Sequence, residues 1–357
     1  MNHTIKKLFA VSSISTILLL TACGGGGGGG ATKSQSVTAT PPTGSSIQLP
    51  VTASTTVPIS NTAPPTPTYA AGSEELSVFN YINNARTTCG FGSLRQNTLI
   101  DTAATNHASW QIENDSVSHY EVANTPGFTG VDPGARFIAS GYNFVAGTEV
   151  ATGSYNAQKI GYGVSSTKNL FAAPYHLLYL LSPNREVGIS VKSGGASGSG
   201  SDITAPAGET PSVYNVTDMA SNSTFLPQVQ ASGDILTYPC QGATNVSTQL
   251  NGIESPSPIL NRNYTSNPIG QPIIIQAATG NKLVITTVSL ATTSGSIPWV
   301  IATTLTSTTD MNYFVQPSQA IAIPDTPLIA NTQYTATIQG TNNGALFVKT
   351  FTFTTGS

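Results

Sequence analysis

The feature that most limits the fold is a long low-complexity stretch near the N-terminus. Residues 24–30 are seven consecutive glycines, and residues 31–70 contain 10 Thr, 6 Ser and 7 Pro with Lys33 as the only charge. Such a composition has too few apolar side chains to bury a core. We therefore predict that residues 23–71 form a disordered tether, or filler of no selected length, and that folded structure begins near Ser73.

Residues 1–22 have the pattern of an export signal. A basic pair at residues 6–7 precedes an apolar run over residues 8–20, which is shorter than the ~20 residues that a membrane-spanning helix needs. The run ends in the letters LTAC, at Cys23, and resembles the bacterial lipobox, in which the peptide is cleaved before a lipid-bearing Cys. The resemblance implies a membrane anchor on Cys23, and Gly24 favours the outer membrane of a Gram-negative cell. An ordinary secretory peptide with a chance Cys is the alternative.

Charge is scarce in this chain. Charged residues make up 8% of the sequence and the formal net charge is −3, whereas roughly 25% of the residues in typical soluble proteins are charged. Binding to nucleic acid draws its affinity from clustered Lys and Arg, and no such cluster is visible. We therefore expect no nucleic-acid partner.

Two cysteines remain after the lipobox, Cys89 and Cys240. Export would place them in an oxidising compartment, where a pair is usually a disulfide. Neither has the spacing of a CxxC motif or a zinc knuckle. A disulfide between them is predicted, and two buried free thiols are the alternative.

Helices and strands alternate between residues 72 and 242. Ser73 is a capping residue before two glutamates, apolar residues follow at helical spacing, and Gly90 ends the pattern. The other predicted elements are a helix with Leu99, Ala103, His107 and Trp110 on one face, a helix from Asp132-Pro133 to before Gly141, a helix over 174–180, strands over 187–191 and 213–216, and a mobile loop over 193–211. This mixture predicts an α/β layered domain over residues 72–242.

Residues 245–357 have a different pattern, with β-rich runs separated by turn residues and no amphipathic helix. The runs are 272–276, 283–290, 299–305, 333–338 and 347–353. They predict an all-β sandwich of immunoglobulin type. Residues 328–339 resemble the penultimate strand of bacterial Ig-like modules, with Tyr334 in the place of the corner tyrosine.

Six short segments resemble, in order, the motifs of the CAP superfamily of cysteine-rich secretory and pathogenesis-related proteins. They are Asn83, Arg86, Gly90 and Leu94; Asn97, Leu99, Ala103 and His107-Ala108; Ser118-His119; Arg136 with Gly141-Tyr142; Gly147-Thr148-Glu149-Val150; and Pro174-Tyr175-His176 followed by Ser182-Pro183 and Glu186-Val187-Gly188-Ile189. Together they span roughly a third of the chain. The resemblance implies an α/β/α sandwich for the first domain.

The resemblance also implies a site. His119, Glu149 and His176 match the residues that line the family's cleft, which binds a divalent metal in some members, and Tyr175 and Glu121 are further candidates for the lining. Two imidazoles and a carboxylate suit Zn²⁺ with an open position. A second acidic residue is missing between Glu149 and His176, and Glu121 is the candidate substitute. A buried polar pair of histidines that organises the cleft is the alternative.

The motif positions depart from the family at Val150, which replaces Asn, and at Leu177, which replaces Arg. His107 shares a helical face with apolar residues, so a packed and hydrogen-bonded core histidine is expected. Arg136 is expected to brace a loop carboxylate or carbonyl. The chain contains no GxSxG, HExxH or phosphate-loop motif.

These observations imply a surface-anchored, non-enzymatic CAP protein that binds a lipid, glycan or protein in a His/Glu-lined cleft, with the sandwich as spacer or second recognition surface. Two other functions remain open. One is a metal-dependent extracellular hydrolase with Glu149 as general base. The other is an adhesive or structural envelope protein whose Ig-like module does the binding.

Overall fold

The computed structural model describes residues 15–16, 57–155, 157–194, 212–293 and 299–357. The lipidation site Cys23, the rest of the predicted signal peptide, most of the predicted tether and most of the predicted 193–211 loop lie outside them. No helix among the described residues combines the length and the apolar character needed to cross a membrane.

The described residues of the N-terminal half form a five-stranded sheet and five helices. Its strands are β1 Ser15–Thr16, β3 Arg95–Gln96, β4 Ala146–Ser154, β5 Glu186–Gly194 and β6 Ser212–Ser221, in the order β1-β4-β6-β5-β3. Its helices are α1 Glu74–Thr88, α2 Thr98–Glu113, α3 Pro133–Ala139, α4 Tyr162–Ala172 and α5 Pro174–Leu180. The long strands β4, β6 and β5 are antiparallel, and β3 joins β5 in parallel. The predicted α/β mixture is confirmed at this level.

Local capping residues set the helix ends as predicted. The Ser73 hydroxyl accepts a hydrogen bond from the Leu76 amide at 3.1 Å, and the Asp132 carboxylate accepts one from the Ala135 amide at 2.8 Å. Gly90 follows α1 with a φ of +84°, a left-handed conformation that glycine adopts without strain.

Helices cover both faces of this sheet. On one face, Ala104 and Ala108 of α2 pack against Val216 of β6. On the other, Val78 of α1 lies in the same core cluster as Met219 of β6, together with α4 and α5. The alternation of side chains along β6 sends neighbouring residues to opposite faces, which is why both helix layers find apolar partners on one strand.

Two sequence expectations need correction in this half. Leu99 was placed on the buried face of α2, but it is 41% exposed and Ile100 is buried instead. Helix α4 was not predicted, because it follows Gly161 without any side-chain cap.

The C-terminal half contains two four-stranded sheets. Their strands are β8 Leu236–Tyr238, β9 Ala243–Val246, β10 Ile273–Gln276, β11 Leu283–Thr292, β12 Ile301–Thr306, β13 Gln319–Pro324, β14 Gln333–Asn342 and β15 Ala345–Thr355, in the orders β12-β13-β10-β8 and β11-β14-β15-β9. Along β14 buried and exposed residues alternate, whereas all four residues of β10 are buried. Strand β10 is therefore covered on both faces, and helix α5 of the helical half contacts it.

The two halves share one apolar core. The Phe171 ring of the helical half lies 5.1 Å from the ring of Tyr238, and the Tyr175 ring lies 4.9 Å from that of Phe314. Strand β8 already pairs with β10, so the chain enters the sandwich before residue 242, the predicted end of the first domain. The predicted disulfide between Cys89 and Cys240 is confirmed and joins the end of α1 to this crossing segment.

The last part of the predicted tether lies against the first domain. The two-residue strand β2, Val57–Pro58, pairs in parallel with β7, Gln228–Val229. The Thr68 amide donates to Gln96 Oε1 at 2.6 Å, and the Tyr69 hydroxyl donates to Asp101 at 2.6 Å. Strand pairing and individual hydrogen bonds thus hold parts of residues 57–69 against the first domain. The composition of this segment did not indicate these contacts.

Candidate functional site

The structure brings two of the predicted site residues into direct contact. The His119 ring, through Nδ1, lies 2.6 Å from Glu149 Oε1, and Arg136 Nη2 donates to Glu149 Oε2 at 2.6 Å. All three side chains are buried. Both oxygens of this carboxylate are therefore engaged by cationic or hydrogen-bonding partners, an arrangement that makes a buried charge tolerable.

Strand β4, helix α3 and the loop that carries His119 position these three side chains. Glu149 is near the middle of β4, and Arg136 lies in the short helix that Asp132 caps. Arg136 Nη1 also donates to the His119 carbonyl at 3.0 Å and to the Gly130 carbonyl at 3.3 Å. Arg136 thus braces both a carboxylate and the loop that carries His119, as its position in the sequence led us to expect.

Glu121, the candidate for the missing acidic residue, has another role. Its Oε1 lies 2.9 Å from His107 Nδ1, and its Oε2 accepts from the Thr129 amide at 2.6 Å and the Gly130 amide at 3.1 Å. His107 is fully buried and hydrogen-bonded, which confirms the expectation of a core histidine. Glu121 therefore fastens the loop between α2 and α3 to the helix below it.

The network fixes the protonation of its central pair. Burial alone would raise the pKa of Glu149, but the positive charge of Arg136, followed by His107 and the hydrogen bond with His119, brings that pKa well below its usual range. Burial lowers the pKa of His119 despite the opposing bond to Glu149, and the nearby His176 and His107 lower it further. The pair is thus an ionised carboxylate facing a neutral imidazole.

The lowered pKa of His119 predicts an acid-sensitive fold. Below about pH 6.5 His119 binds a proton in the unfolded chain but stays neutral in the folded chain. The free energy of unfolding therefore decreases as the pH falls. Relative to His119→Gln, which keeps a donor toward Glu149, the wild type should lose up to about 1.4 kcal/mol per pH unit in this range. Urea unfolding between pH 7 and pH 5 measures the difference, and a wild type that gains stability over the variant on acidification would contradict it.

Asp218 is a buried acid that the sequence did not single out. It stands directly opposite Glu149 across β4 and β6 and is fully buried. Neither of its oxygens makes a hydrogen bond among the described residues. Burial, and next the charge of Glu149, raise its pKa well above the usual value, so the group is held neutral and carries no charge to the network.

Asp218→Asn is expected to stabilise the protein at neutral pH. In the unfolded chain Asp218 ionises above about pH 4, whereas folding forces it to take up a proton; a raised pKa therefore costs stability at high pH and nothing at low pH. Asn has nearly the same shape and needs no proton on folding. We therefore expect the free energy of unfolding to rise by on the order of 1 kcal/mol at pH 7. The gain should vanish near pH 3.5. Equal effects at both pH values in urea unfolding would show that Asp218 is not held protonated.

His176 and Tyr175 meet carboxylates from the C-terminal half. Glu254 Oε1 lies 3.0 Å from His176 Nδ1 and accepts from the backbone amides of Tyr175 and His176 at 2.7 and 3.0 Å. The Tyr175 hydroxyl donates to Asp310. Both acids are buried. Glu254 of the C-terminal half is thus an acidic partner for His176, and it lies outside residues 150–175, which contain no Asp or Glu.

These five predicted residues do not line an open cleft in this structure. His119, Glu149, His176, Glu121 and Tyr175 are each at most 2% exposed. Two cavities on the described part of the chain, one beside α4 and one beside β3, are lined by other residues. The contacts just described cover most of their polar atoms, and the Nε2 atom of His119 is the exception among these five side chains.

The arrangement as it stands does not fit a metal ion. Glu149 has both oxygens engaged, and the described residues hold no group of three or more His, Cys, Asp or Glu side chains placed to bind one. The Nε2 atom of His119 is buried without a hydrogen-bond partner among the described residues. The zinc site stays a prediction, which metal analysis can test.

The chain matches no model of a known protein family and no curated protein.

Proposed function

We propose that the protein is an exported, lipid-anchored, non-enzymatic binding protein of the bacterial outer membrane, built from a CAP-superfamily domain and an Ig-like sandwich. The CAP assignment is supported by six ordered motifs and by helices on both faces of one sheet, the α/β/α layering that the superfamily implies. It is also supported by the direct contact between His119 and Glu149, two residues that the motifs alone paired.

The Ig-like assignment has its own support in the C-terminal sheets. The Tyr334 hydroxyl accepts a hydrogen bond from the Ile329 amide, five residues upstream, at 2.8 Å. A tyrosine that bonds back to the backbone near the start of a late strand is the tyrosine corner of such sandwiches. Two four-stranded sheets, antiparallel except where β9 joins β15 in parallel, share an apolar interior and fit the same architecture.

The observation that carries the non-enzymatic role is the state of Glu149. A general base needs a pKa near the working pH and a free oxygen toward the proton it removes. Glu149 has neither, because Arg136 holds it ionised and both oxygens are occupied. The His/Glu network instead shapes and stiffens the surface around it, and the ligand or partner binds outside this buried centre.

Metal analysis of the full chain, purified without chelator, tests this role against a hydrolase. The proposal expects less than one equivalent of zinc or other divalent metal, and the same content in a His119→Ala/His176→Ala variant. One equivalent in the wild type that is lost from the variant would overturn it and favour metal-dependent hydrolysis.

Metabolic labelling with an alkyne fatty acid tests the anchor. The wild type is expected to incorporate the label and to sediment with outer membranes, and Cys23→Ser is expected to lose the label. A labelled Cys23→Ser protein, or an unlabelled wild type, would contradict lipidation at this residue.

A further inference from the structure

A polar cavity lies where the two halves of the chain meet, away from the His/Glu network. It has a volume of about 340 Å³, near the lower end for ligand pockets. One wall is a single face of α4, which includes Tyr162, Ser165 and Asn169 at helical spacing, and Ser154 at the end of β4 adds to it. The opposite wall is residues 250–253 from the C-terminal half.

Hydrogen bonds between the halves preform this cavity. Asn169 Oδ1 accepts from the Asn251 amide at 2.8 Å, and the Ser247 hydroxyl donates to the Lys168 carbonyl at 3.0 Å. The Cys89–Cys240 disulfide joins the same two halves, and Cys240 lies shortly before Ser247 in the sequence. A ligand here would bind to fixed walls and would not have to order them, which favours affinity.

The lining selects a neutral, hydroxyl-rich ligand. None of its thirteen residues is acidic or basic, so a charged ligand would lose hydration without gaining an opposite charge. Polar groups are available, because the Ser154 hydroxyl and Asn169 Nδ2 donate no hydrogen bond to another described residue. Leu250 and Ile253 add apolar surface beside them.

We propose that this junction cavity binds a neutral saccharide, such as a terminal residue of a glycan. Sugar hydroxyls both donate and accept, as the amide and hydroxyl groups of the cavity do, and the C–H face of a sugar ring can lie on the apolar part of the lining. The proposal rests on the binding role proposed above, and it supplies the site and the ligand class for that role.

Saturation-transfer NMR on the full chain tests the assignment. The neutral probes are methyl glycosides of glucose, galactose and N-acetylglucosamine, and the acidic probes are glucuronic acid and N-acetylneuraminic acid, each at about 10 mM for weak affinity. Ser165→Trp fills the cavity from an exposed position on α4. Asn169→Asp keeps the oxygen that accepts from Asn251 but replaces the free amide donor with a charge.

At least one neutral probe should give transfer to the wild type and to the control Thr102→Trp, an exposed threonine on α2 outside the cavity. The signal should fall at least tenfold in Ser165→Trp and weaken in Asn169→Asp. No signal from any neutral probe with the wild type, equal signals from the acidic probes, or an unchanged signal in Ser165→Trp would each overturn the proposal. If Ser165→Trp shifts the unfolding midpoint, Ser165→Gln replaces it.

The outcomes separate this proposal from the proposed function. A metal-free, lipidated protein without sugar binding contradicts the saccharide cavity alone. A stoichiometric metal that depends on His119 and His176 contradicts the non-enzymatic role whatever the cavity binds.

Discussion

Replacing Arg136 with Met should lower the free energy of unfolding by about 3–5 kcal/mol, the usual cost of removing one partner from a buried ion pair. Glu149 would remain buried and keep its contact with His119 but lose its cationic partner, and the carbonyls of His119 and Gly130 would lose the hydrogen bonds that Arg136 donates. Met keeps most of the side-chain volume, so the loss reports on charge and hydrogen bonding more than on packing. Urea unfolding at pH 7 measures it.

Arg95→Met is the matched control. Arg95 pairs with Glu186 at 3.4 Å, and the Arg95 side chain is 40% exposed. The buried Glu186 carboxylate keeps hydrogen bonds from Asn97, Tyr142 and Asn222 when Arg95 is removed, so a change within about 1 kcal/mol is expected. A double variant, Arg136→Met with Glu149→Leu, removes the stranded charge and should recover part of the loss. If Arg136→Met were no worse than Arg95→Met, the buried network would not stabilise this fold.

The elements that the sequence predicted well are those with local signals. Helices α1 and α3 begin at Ser73 and Asp132 because a side-chain oxygen there satisfies a free backbone amide. Helix α4 has no such signal: Gly161 before it is left-handed and contributes no side chain. The predicted burial of Leu99 was wrong because Leu99 lies in the first turn of α2, where either of two adjacent apolar residues can face the core, and α2 packs on β5 and β6 with Ile100 inward.

The candidate site was predictable only in part, for a reason of distance along the chain. His119 and Glu149 were paired through their motifs, and they touch. The partner of His176 is Glu254, 78 residues later and in the other half of the chain. No local pattern relates these two positions, because only the packing of the sandwich on α5 brings them together. Asp218 was missed likewise, since a single acid in an apolar strand gives no sign of what lies opposite it.

For the same reason the sequence does not indicate that a strand before residue 242, the predicted end of the first domain, pairs with the C-terminal half. A three-residue strand such as β8 has no periodicity of its own, and it is defined by its pairing with β10, more than thirty residues further on. The junction cavity depends on this crossing, since its two walls come from opposite sides of it.

Removing the disulfide should have an effect as large as that of Arg136→Met. The bond joins residues 151 apart in sequence, and the chain-entropy relation for a loop of that length gives about 5 kcal/mol. Cys89→Ala/Cys240→Ala should lose about 4–5 kcal/mol in urea unfolding, because its unfolded chain is free to expand.

Reduction of the wild type provides an internal comparison for this variant. With dithiothreitol in the buffer, the wild type should unfold at nearly the urea concentration of Cys89→Ala/Cys240→Ala, and the variant should not respond to the reductant. The apolar core that both halves share is unchanged by either treatment, so each protein should still fold at low urea and the difference should appear as a shifted midpoint. A variant within 1 kcal/mol of the oxidised wild type would mean that the shared core, and not the covalent link, sets how tightly the halves are joined.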